Sequence, residues 1–572
     1  MAVSSYGSFS QAFINDLNSN FGALSDAIQP NPATVCATLV DLKALTTRPE
    51  SVLVKGKTAA NDGWGSVFVW VAGDSTTADD ALVVQCTSGA AGRYKRLVEG
   101  EVFYAEWWGA VADGSTDDSS ALQAAIDAVG NAAGTLVLKA QSYRVNTALT
   151  VTKKCTIQGQ IGRTFLVLGT QNMNGMVIGD GTSDTRDALF NTVIQGLSFV
   201  PLVGVTAFAS GACIERNYVS YVDLIDCTFY GHDGTSTKLW NGVNDVRADT
   251  CNTTRCRFTF FQNNGFQRAG TGSGADRTIN GHHDYLYFSE ISGDAIYYGD
   301  HCEGESINFA NAFDVDGYCV HVNSASGLNF FINQPDFELG GGGGIHAEVG
   351  SVVQVTGGWL GGPNAFVSAS TSANHLIAGV QFDSATLDID SPATTITGCN
   401  INGDNSTTVD GVIVRANADD FNMAGCRVQQ YTQHGINLVD KPARMSIVGV
   451  SFATIGGNEI NVASAYALAD QPPTVSGCNS DRSAFITAAS AIPHYPGVEF
   501  IQISGATAVD SIGWAGRGTI LTIQSNQTGG STINNGSPIL LNNGANLTIP
   551  QFFTATFTTD GSGTWFEVGR SF

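Results

Sequence analysis

Charge is scarce in this chain of 572 residues. Asp, Glu, Lys and Arg together make up 14%, and only 27 Lys and Arg stand against 51 Asp and Glu. The resulting net charge of −24 argues against a general phosphate-binding surface, and no nucleic-acid partner is expected. Long apolar runs are missing too. No stretch reaches the length that crosses a bilayer, so no membrane insertion is expected. The N-terminus lacks a basic segment followed by an apolar run, which implies release by lysis or inside a larger particle if the protein acts outside a cell. The 12 Cys form no CxxC pair and no zinc spacing. DGSTDD at 113–118 lacks the closing Glu of a calcium loop, so neither metal nor cofactor is expected. No leucine-rich or helix-pair repeat is present.

What is abundant is glycine, at 67 residues. With Asn, Thr and Ser it gives a turn-rich β composition. A short phrase recurs through 192–480: an aliphatic residue, two or three small or polar ones, an apolar residue or Cys, a polar one, then an aromatic or aliphatic. It reads NTVIQGLSF at 191–199, YVDLIDCTF at 221–229, HLIAGVQF at 375–382, TTITGCNI at 394–401 and MSIVGVSF at 445–452. The inward slot of successive phrases is assigned to Leu197, Cys227, Cys256, Ile291, Phe313, Phe337, Trp359, Val380, Cys399, Cys426, Val450 and Cys478, 19 to 35 residues apart. Units of this length cannot bury an apolar face alone and must stack. Their period-two alternation makes them strands, so the expected fold is an all-β parallel β-helix solenoid. The cysteines then form a reduced apolar ladder, suited to assembly in a reducing cytoplasm.

The rest of the chain flanks this repeat. Residues 1–32 carry a helical stripe, Phe13, Leu17, Phe21, Leu24 and Ile28, ended by Pro30 and Pro32. Residues 33–104 read as a small α+β domain, in which Arg93, Lys95 and Arg96 mark a solvated strand edge. The solenoid proper is expected over 105–484, with a helix from Ser120 to Val129 capping its first coil. Strand-like segments over 485–572 predict a C-terminal antiparallel β-sandwich.

The stretch WGAVADGSTDDSSALQAAIDA, followed by GTLVL and YRV, resembles the opening of pectate-lyase-like right-handed β-helices, above all bacteriophage tailspikes and capsule depolymerases. GSVFVWVAG with GRYKRL is similar to the small domain before the helix in such proteins, and TDGSGTWFEVGRSF to a common ending of phage tail proteins. The resemblance implies a homotrimer that binds and usually cleaves a bacterial surface polysaccharide (capsule, exopolysaccharide or O-antigen). It also implies a virion tail protein, made in the host cytoplasm, whose N-terminal helix serves trimerisation or attachment to a tail or baseplate protein. It supplies no universal catalytic motif.

Candidate chemistry therefore rests on coil spacing. An offset of 22 residues pairs Ile291 with Phe313, Asp294 with Asp316 and Ile296 with Tyr318, and sets Phe337 in the Phe313 place with Glu338 beside Asp314. Asp294, Asp314, Asp316 and Glu338 would then cluster, with Asp316 paired to Asp294 or Glu338 as glycosidase acid and base. Tyr297, Tyr298 and Trp359 are expected as sugar platforms, with His282, Arg277 and His321 beside them. The glycines at 340–344 suit a bare patch where a polymer passes, or a flexible loop. The alternatives are a polysaccharide lyase using Arg268, Arg277 and His282, and a non-catalytic receptor-binding fibre.

Overall fold

The computed structural model describes residues 34–571 except 90, 182–185, 273–275, 326–328, 339–340, 351, 405–408, 440–441, 458, 463–473, 477, 481–483, 488–490, 493–499, 505–507, 513–519, 537 and 561–563. The apolar stripe expected at 8–28 lies outside the described residues. The chain divides into two compact units, Met1–Val111 with Ser120–Val137, and Ala112–Ser119 with Leu138–Phe572.

The first unit holds one five-stranded sheet. Its strands lie in the order Thr34–Cys36, Ser51–Val54, Ser66–Ala72, Gly92–Arg96 and Val83–Val84, all antiparallel except the first pair. Helix Leu39–Ala44 starts at a capping box formed by Thr38 and Asp41. The basic segment is not an edge, because Gly92–Arg96 is paired on both sides. Arg96 is buried, its guanidinium 4.4 Å from the Trp64 ring and 4.3 Å from that of Trp107, and it donates to the carbonyls of Trp64 and Ala81. Its aromatic neighbours supply a cation–π seat that an alternation count overlooks. The helix expected from Ser120 spans Ser119–Ala132, and its stripe Leu122, Ala125, Ile126 and Val129 is buried.

The second unit is a right-handed parallel β-solenoid. Each coil contributes one strand to each of three sheets. Sheet A runs from Thr156–Gln158 to Thr474–Ser476, sheet B from Asp113–Asp117 to Asn479–Ser480, and sheet C from Leu149–Val151 to Ile460–Val462. A left-handed residue turns the chain from sheet A to sheet B. Gly196, Asp226, Arg255, Tyr285, Phe309, Gln334, Gly357, Gly379, Gly398, Gly425 and Gly449 occupy this corner with φ between 49° and 68°. Glycine takes it without strain, whereas five consecutive coils hold larger side chains there.

The residue after this corner points inward. From the strand pairings the slot runs Leu197, Cys227, Cys256, Leu286, Ala310, Pro335, Gly358, Val380, Cys399, Cys426, Val450 and Cys478. The sequence assignment thus holds at both ends and slips in the middle, where Ile291, Phe313, Phe337 and Trp359 belong to other ladders. The cause is local. Glu290 and Asp314 are also left-handed, both at φ 54°, and break the period-two alternation of strands Tyr287–Ile291 and Asn311–Val315. Ile291 pairs with Val315 and Ile296 with Val320, an offset of 24 residues rather than 22. All twelve cysteines are free thiols, and Cys227, Cys256, Cys399 and Cys426 point their sulfurs at carbonyls of their own and the preceding coil.

Among the described residues of the coils, charge enters the interior as a network. Arg216, Asp245 and Arg268 stack inward on successive strands of sheet C. Arg216 binds Asp245 through two bonds of 2.7 Å, and Arg268 reaches Asp245 at 2.5 Å and Glu305 at 3.0 Å. His283 adds a contact to Glu305 at 3.3 Å, with burial pushing its imidazole strongly toward the neutral form. Two guanidiniums thus face two carboxyl groups, the condition under which buried charge is tolerated. Gly281 makes the room, since a Cβ there would lie 2.4 Å from Glu305 Oε2 and 2.7 Å from Arg268 Cζ.

Beyond the last coils stands a six-stranded sheet with two small two-stranded ones, a sandwich-like arrangement over a core that includes Ile501, Leu521, Phe557 and Trp565. It is mixed rather than wholly antiparallel. Ala484–Thr487, Phe500–Ser504 and Ile520–Ser525 still pair in parallel, continuing the solenoid rise, before Thr554–Thr559 and Trp565–Arg570 run antiparallel. No described helix is long and apolar enough to cross a membrane.

Two stability outcomes follow. Gly281→Ala should lower stability by about 1–3 kcal/mol through overpacking, measured as a lower urea midpoint; an unchanged midpoint would show that the network has slack. His375 is buried, accepts the Val353 N–H at Nδ1 (3.2 Å) and lies 3.0 Å from Ser372 Oγ, and burial pulls its pKa from 6.5 to about 4. The unfolded chain therefore binds this proton before the folded one does. Stability should fall by about 3 kcal/mol as pH drops from 6.5 to 4, and His375→Asn should flatten that slope in thermal melts.

Candidate functional site

The outward residues of sheet C change character along the coil axis. Glu215, Asn244, Gln267, Tyr297, His321 and His346 stack on successive strands, after which the ladder passes to Val367. Strand alternation aims all six away from the core.

At the His321 level this ladder meets an acid from the turn before the sheet. Asp294 accepts the Tyr318 backbone N–H at 2.7 Å through Oδ1 and lies 2.9 Å from His321 Nδ1 through Oδ2. On the far side, Glu348 Oε2 lies 2.8 Å from His321 Nε2. One imidazole thus bridges two carboxylates, and both of its nitrogens donate only when it is protonated. Burial pulls against that charge, but Asp294 and Glu348 more than offset it, and the His321 pKa is raised above 6.5. Aromatic rings wall the group. Tyr297 meets His321 edge-on at 5.2 Å, Tyr318 lies 5.4 Å from it, and His346 stacks at 4.9 Å.

A second site of the same build separates scaffold from function. Asp410 accepts the His434 N–H at 3.0 Å with one oxygen and the Asn437 amide at 2.6 Å with the other. An acid at this turn, tied to the next coil, is therefore a structural device of the solenoid. Asp294 keeps that role through Oδ1. It differs in presenting Oδ2 to a titratable ring that carries a second carboxylate beyond it.

The residues singled out from sequence fall as follows. Asp294, Tyr297 and His321 come together. Asp316 follows Val315, so it stands at the Ser292 level rather than opposite Asp294, although Asp294 Oδ1 abuts its neighbour Gly317. Asp314 and Asp316 are exposed, and so is Glu338, which pairs with Phe313. Tyr298 points into the core and is fully buried, which rules it out as a surface platform. Trp359 is half-buried on sheet B, its ring lying over Gly361. His282 is exposed on sheet A beside Ser306 (2.8 Å), and Arg277 pairs with Glu303 at 2.5 Å. Arg268 is sealed in the interior. Gly342 and Gly344 are pressed against neighbouring coils, where a Cβ would meet a carbonyl oxygen at 2.1 and 2.3 Å, so packing demands them. Spacing does not single out Glu348, because it is the extra residue of a bulge where Val322 pairs with Ala347 and Asn323 with Val349; Tyr318 lies three residues before His321 on the same strand. His321, His346 and Glu348 offer ligand atoms within 4.8 Å of one another and could hold a divalent cation, at the expense of the His321–Glu348 contact.

Residues 35–99 match the family described as the phage tail protein small four-stranded beta-sheet domain. Within the sheet above, the four antiparallel strands account for that description, with Thr34–Cys36 added at one edge. No curated protein sequence matches the chain. Among solved structures, the Acinetobacter phage vb_AbaP_AS12 gp42 tailspike aligns over 94% of this chain and 94% of its own at 13% identity, with a TM-score of 0.50. The N-terminal fragment of bacteriophage Phi29 gene product 12 aligns over 77% of this chain and 82% of its own at 11% identity, also with a TM-score of 0.50. At these identities the likeness is one of fold.

The electrostatic account of His321 can be measured directly. In an NMR titration its pKa should lie above 6.5 in the native protein and fall in both Asp294→Asn and Glu348→Gln, where burial acts with less opposition. A pKa unmoved by either change would mean that the two carboxylates do not hold the proton.

Proposed function

We propose that this chain is a phage tailspike that binds and hydrolyses a bacterial surface polysaccharide, with its chemistry at Asp294, His321 and Glu348. The observation that carries the reading is the pair of carboxylates held across one imidazole on the outer face of sheet C. The family match at 35–99 and the full-length likeness of fold to a tailspike support the biological setting. In that setting the protein is a homotrimer on the virion tail, joined through its N-terminus to a tail or baseplate protein and acting at the host cell surface.

A proton shared among two carboxylates and an imidazole suits glycoside hydrolysis, which needs one acid and one base. The His321 ring fills the space between the carboxylates, with contacts of 2.9 and 2.8 Å on its two sides, so water and sugar would meet the group from its solvent side. Water adds to the anomeric carbon as the bond to the leaving oxygen breaks. The His321 proton moves to one carboxylate, which gives it to the leaving oxygen, while the other carboxylate takes the proton of the water. His321 passes a proton between them and restores the starting state, so no external acid or base is needed. Asp294, anchored on Tyr318, is the fixed member, and Glu348, with its side chain 39% exposed, is the one open to solvent. Asp314, Asp316 and Glu338 would flank the bound chain.

A lyase needs a cation to neutralise a uronate carboxylate. Of the groups considered for it, Arg268 is buried in its ion network and Arg277 is paired with Glu303. That favours hydrolysis. Product analysis on a panel of purified bacterial capsular and O-antigen polysaccharides tests the reading. New reducing ends without unsaturation are expected, whereas an unsaturated product would make it a lyase and no cleavage a binding fibre. Asp294→Asn and Glu348→Gln should each lower cleavage by about 100- to 10,000-fold with the oligomer intact. Asp316→Asn is expected to lose less than Asp294→Asn; an equal loss would make Asp316 the second carboxylate.

A further inference from the structure

The polar ladder of sheet C does not begin at His321. Three strands earlier it opens into a cavity of about 330 Å³ whose lining includes Asn172, Asn174, Glu215, Trp240 and Asn244. This is at the lower end of the roughly 300–1,000 Å³ of small-molecule sites and suits one or two sugar rings. Its walls are built rather than incidental. Asn172 and Asn174 are fixed by accepting the N–H groups of Ala209 (2.6 Å) and Ala212 (2.8 Å). Glu215 is held by the amides of Asn174 (3.2 Å) and Asn217 (3.1 Å). Asn244 donates toward Glu215 at 3.5 Å, while its side-chain oxygen has no partner among the described residues.

The chemistry of this lining selects its ligand. Amides and a carboxylate offer acceptors to hydroxyl and N–H groups, and an indole offers an apolar face to the C–H side of a pyranose. Among the described residues the lining holds no Lys or Arg. A uronate or sialate would therefore meet Glu215 with no basic side chain in the wall itself to offset it.

We infer that this cavity is a subsite for a neutral or amino sugar of the same polysaccharide, which makes the substrate uncharged or amine-bearing at that position. The inference rests on the hydrolase reading for its polymer but not for its recognition. Asn244, Gln267, Tyr297 and His321 follow one another at strand spacing, so the cavity lies about 14 Å from the bridged carboxylates. The polymer accordingly runs along the coil axis over sheet C, with Gln267 and Tyr297 beneath it.

The test uses the full chain carrying Glu348→Gln, and a panel of purified bacterial polysaccharides in three groups: neutral, N-acetylhexosamine- or amino-sugar-containing, and uronate- or sialate-rich. Binding to the first or second group is expected, and Trp240→Ala should weaken it at least tenfold while the thermal midpoint stays put. Glu215→Gln, which keeps the shape of the wall, should relax discrimination against the acidic polymers. In the otherwise native chain, Trp240→Ala should raise KM with kcat little changed. Binding confined to the acidic group, binding indifferent to Trp240→Ala, or no binding to any polymer would overturn the subsite. Tight Trp240-dependent binding without cleavage by the native chain would uphold it while removing the hydrolase reading.

Discussion

The hydrogen-bond register between successive coils is the constraint on which everything else in the long unit depends. Each strand pairs with the one a coil later, and alternation then decides which side chains face the core and which face water. His321 and Glu348 are 27 residues apart in sequence yet lie 2.8 Å apart, because one coil separates them and both emerge on the same sheet. The same register aligns Glu215 with Asn244 and carries the polar ladder onward to His346. The sheet positions His321 and Glu348, and the Tyr318 N–H holds Asp294 in place from its turn.

Scaffold and chemistry share parts here. At Asp410 the turn acid serves only to tie one coil to the next. At Asp294 the same tie fixes one oxygen and so fixes the direction of the other. The structural bond therefore positions the functional one, and replacing an amide by an imidazole with Glu348 beyond it turns a brace into a proton-holding group. The aromatic surroundings of Tyr297, Tyr318 and His346 shield the ring enough for its carboxylates to outweigh the loss of water.

The solenoid was legible because its signals are redundant. Alternating β-branched and aromatic residues, the Cys slot at both ends of the repeat and glycine at the corners all agree. The site was legible only in part. Asp294, Tyr297 and His321 stand out as a cluster of chemically able residues, but pairing them with the right acid needs the register. Left-handed Glu290 and Asp314 break alternation in two neighbouring strands alike and leave their register even; the register shifts at Glu348, the extra residue between Ala347 and Val349. A bulge of this kind is a backbone event, and residue types alone do not encode it. Tyr298 and Arg268 misled for a related reason: adjacent to outward residues, they point inward, one into the core and one into an ion network.

That network has a bearing on how the coil can assemble. A stack of similar coils is almost translationally degenerate, since a chain displaced by one repeat still buries aliphatic residues against aliphatic residues. The order Arg216, Asp245, Arg268 removes this degeneracy locally. Displaced by one step, the ladder would leave a guanidinium facing its own kind or an apolar wall, with desolvation uncompensated. Gly281 sharpens the mark further, because a side chain at its position would intrude on both Arg268 and Glu305. The interior charges thus act as a vernier line, giving a self-similar stack one position at which it can be counted.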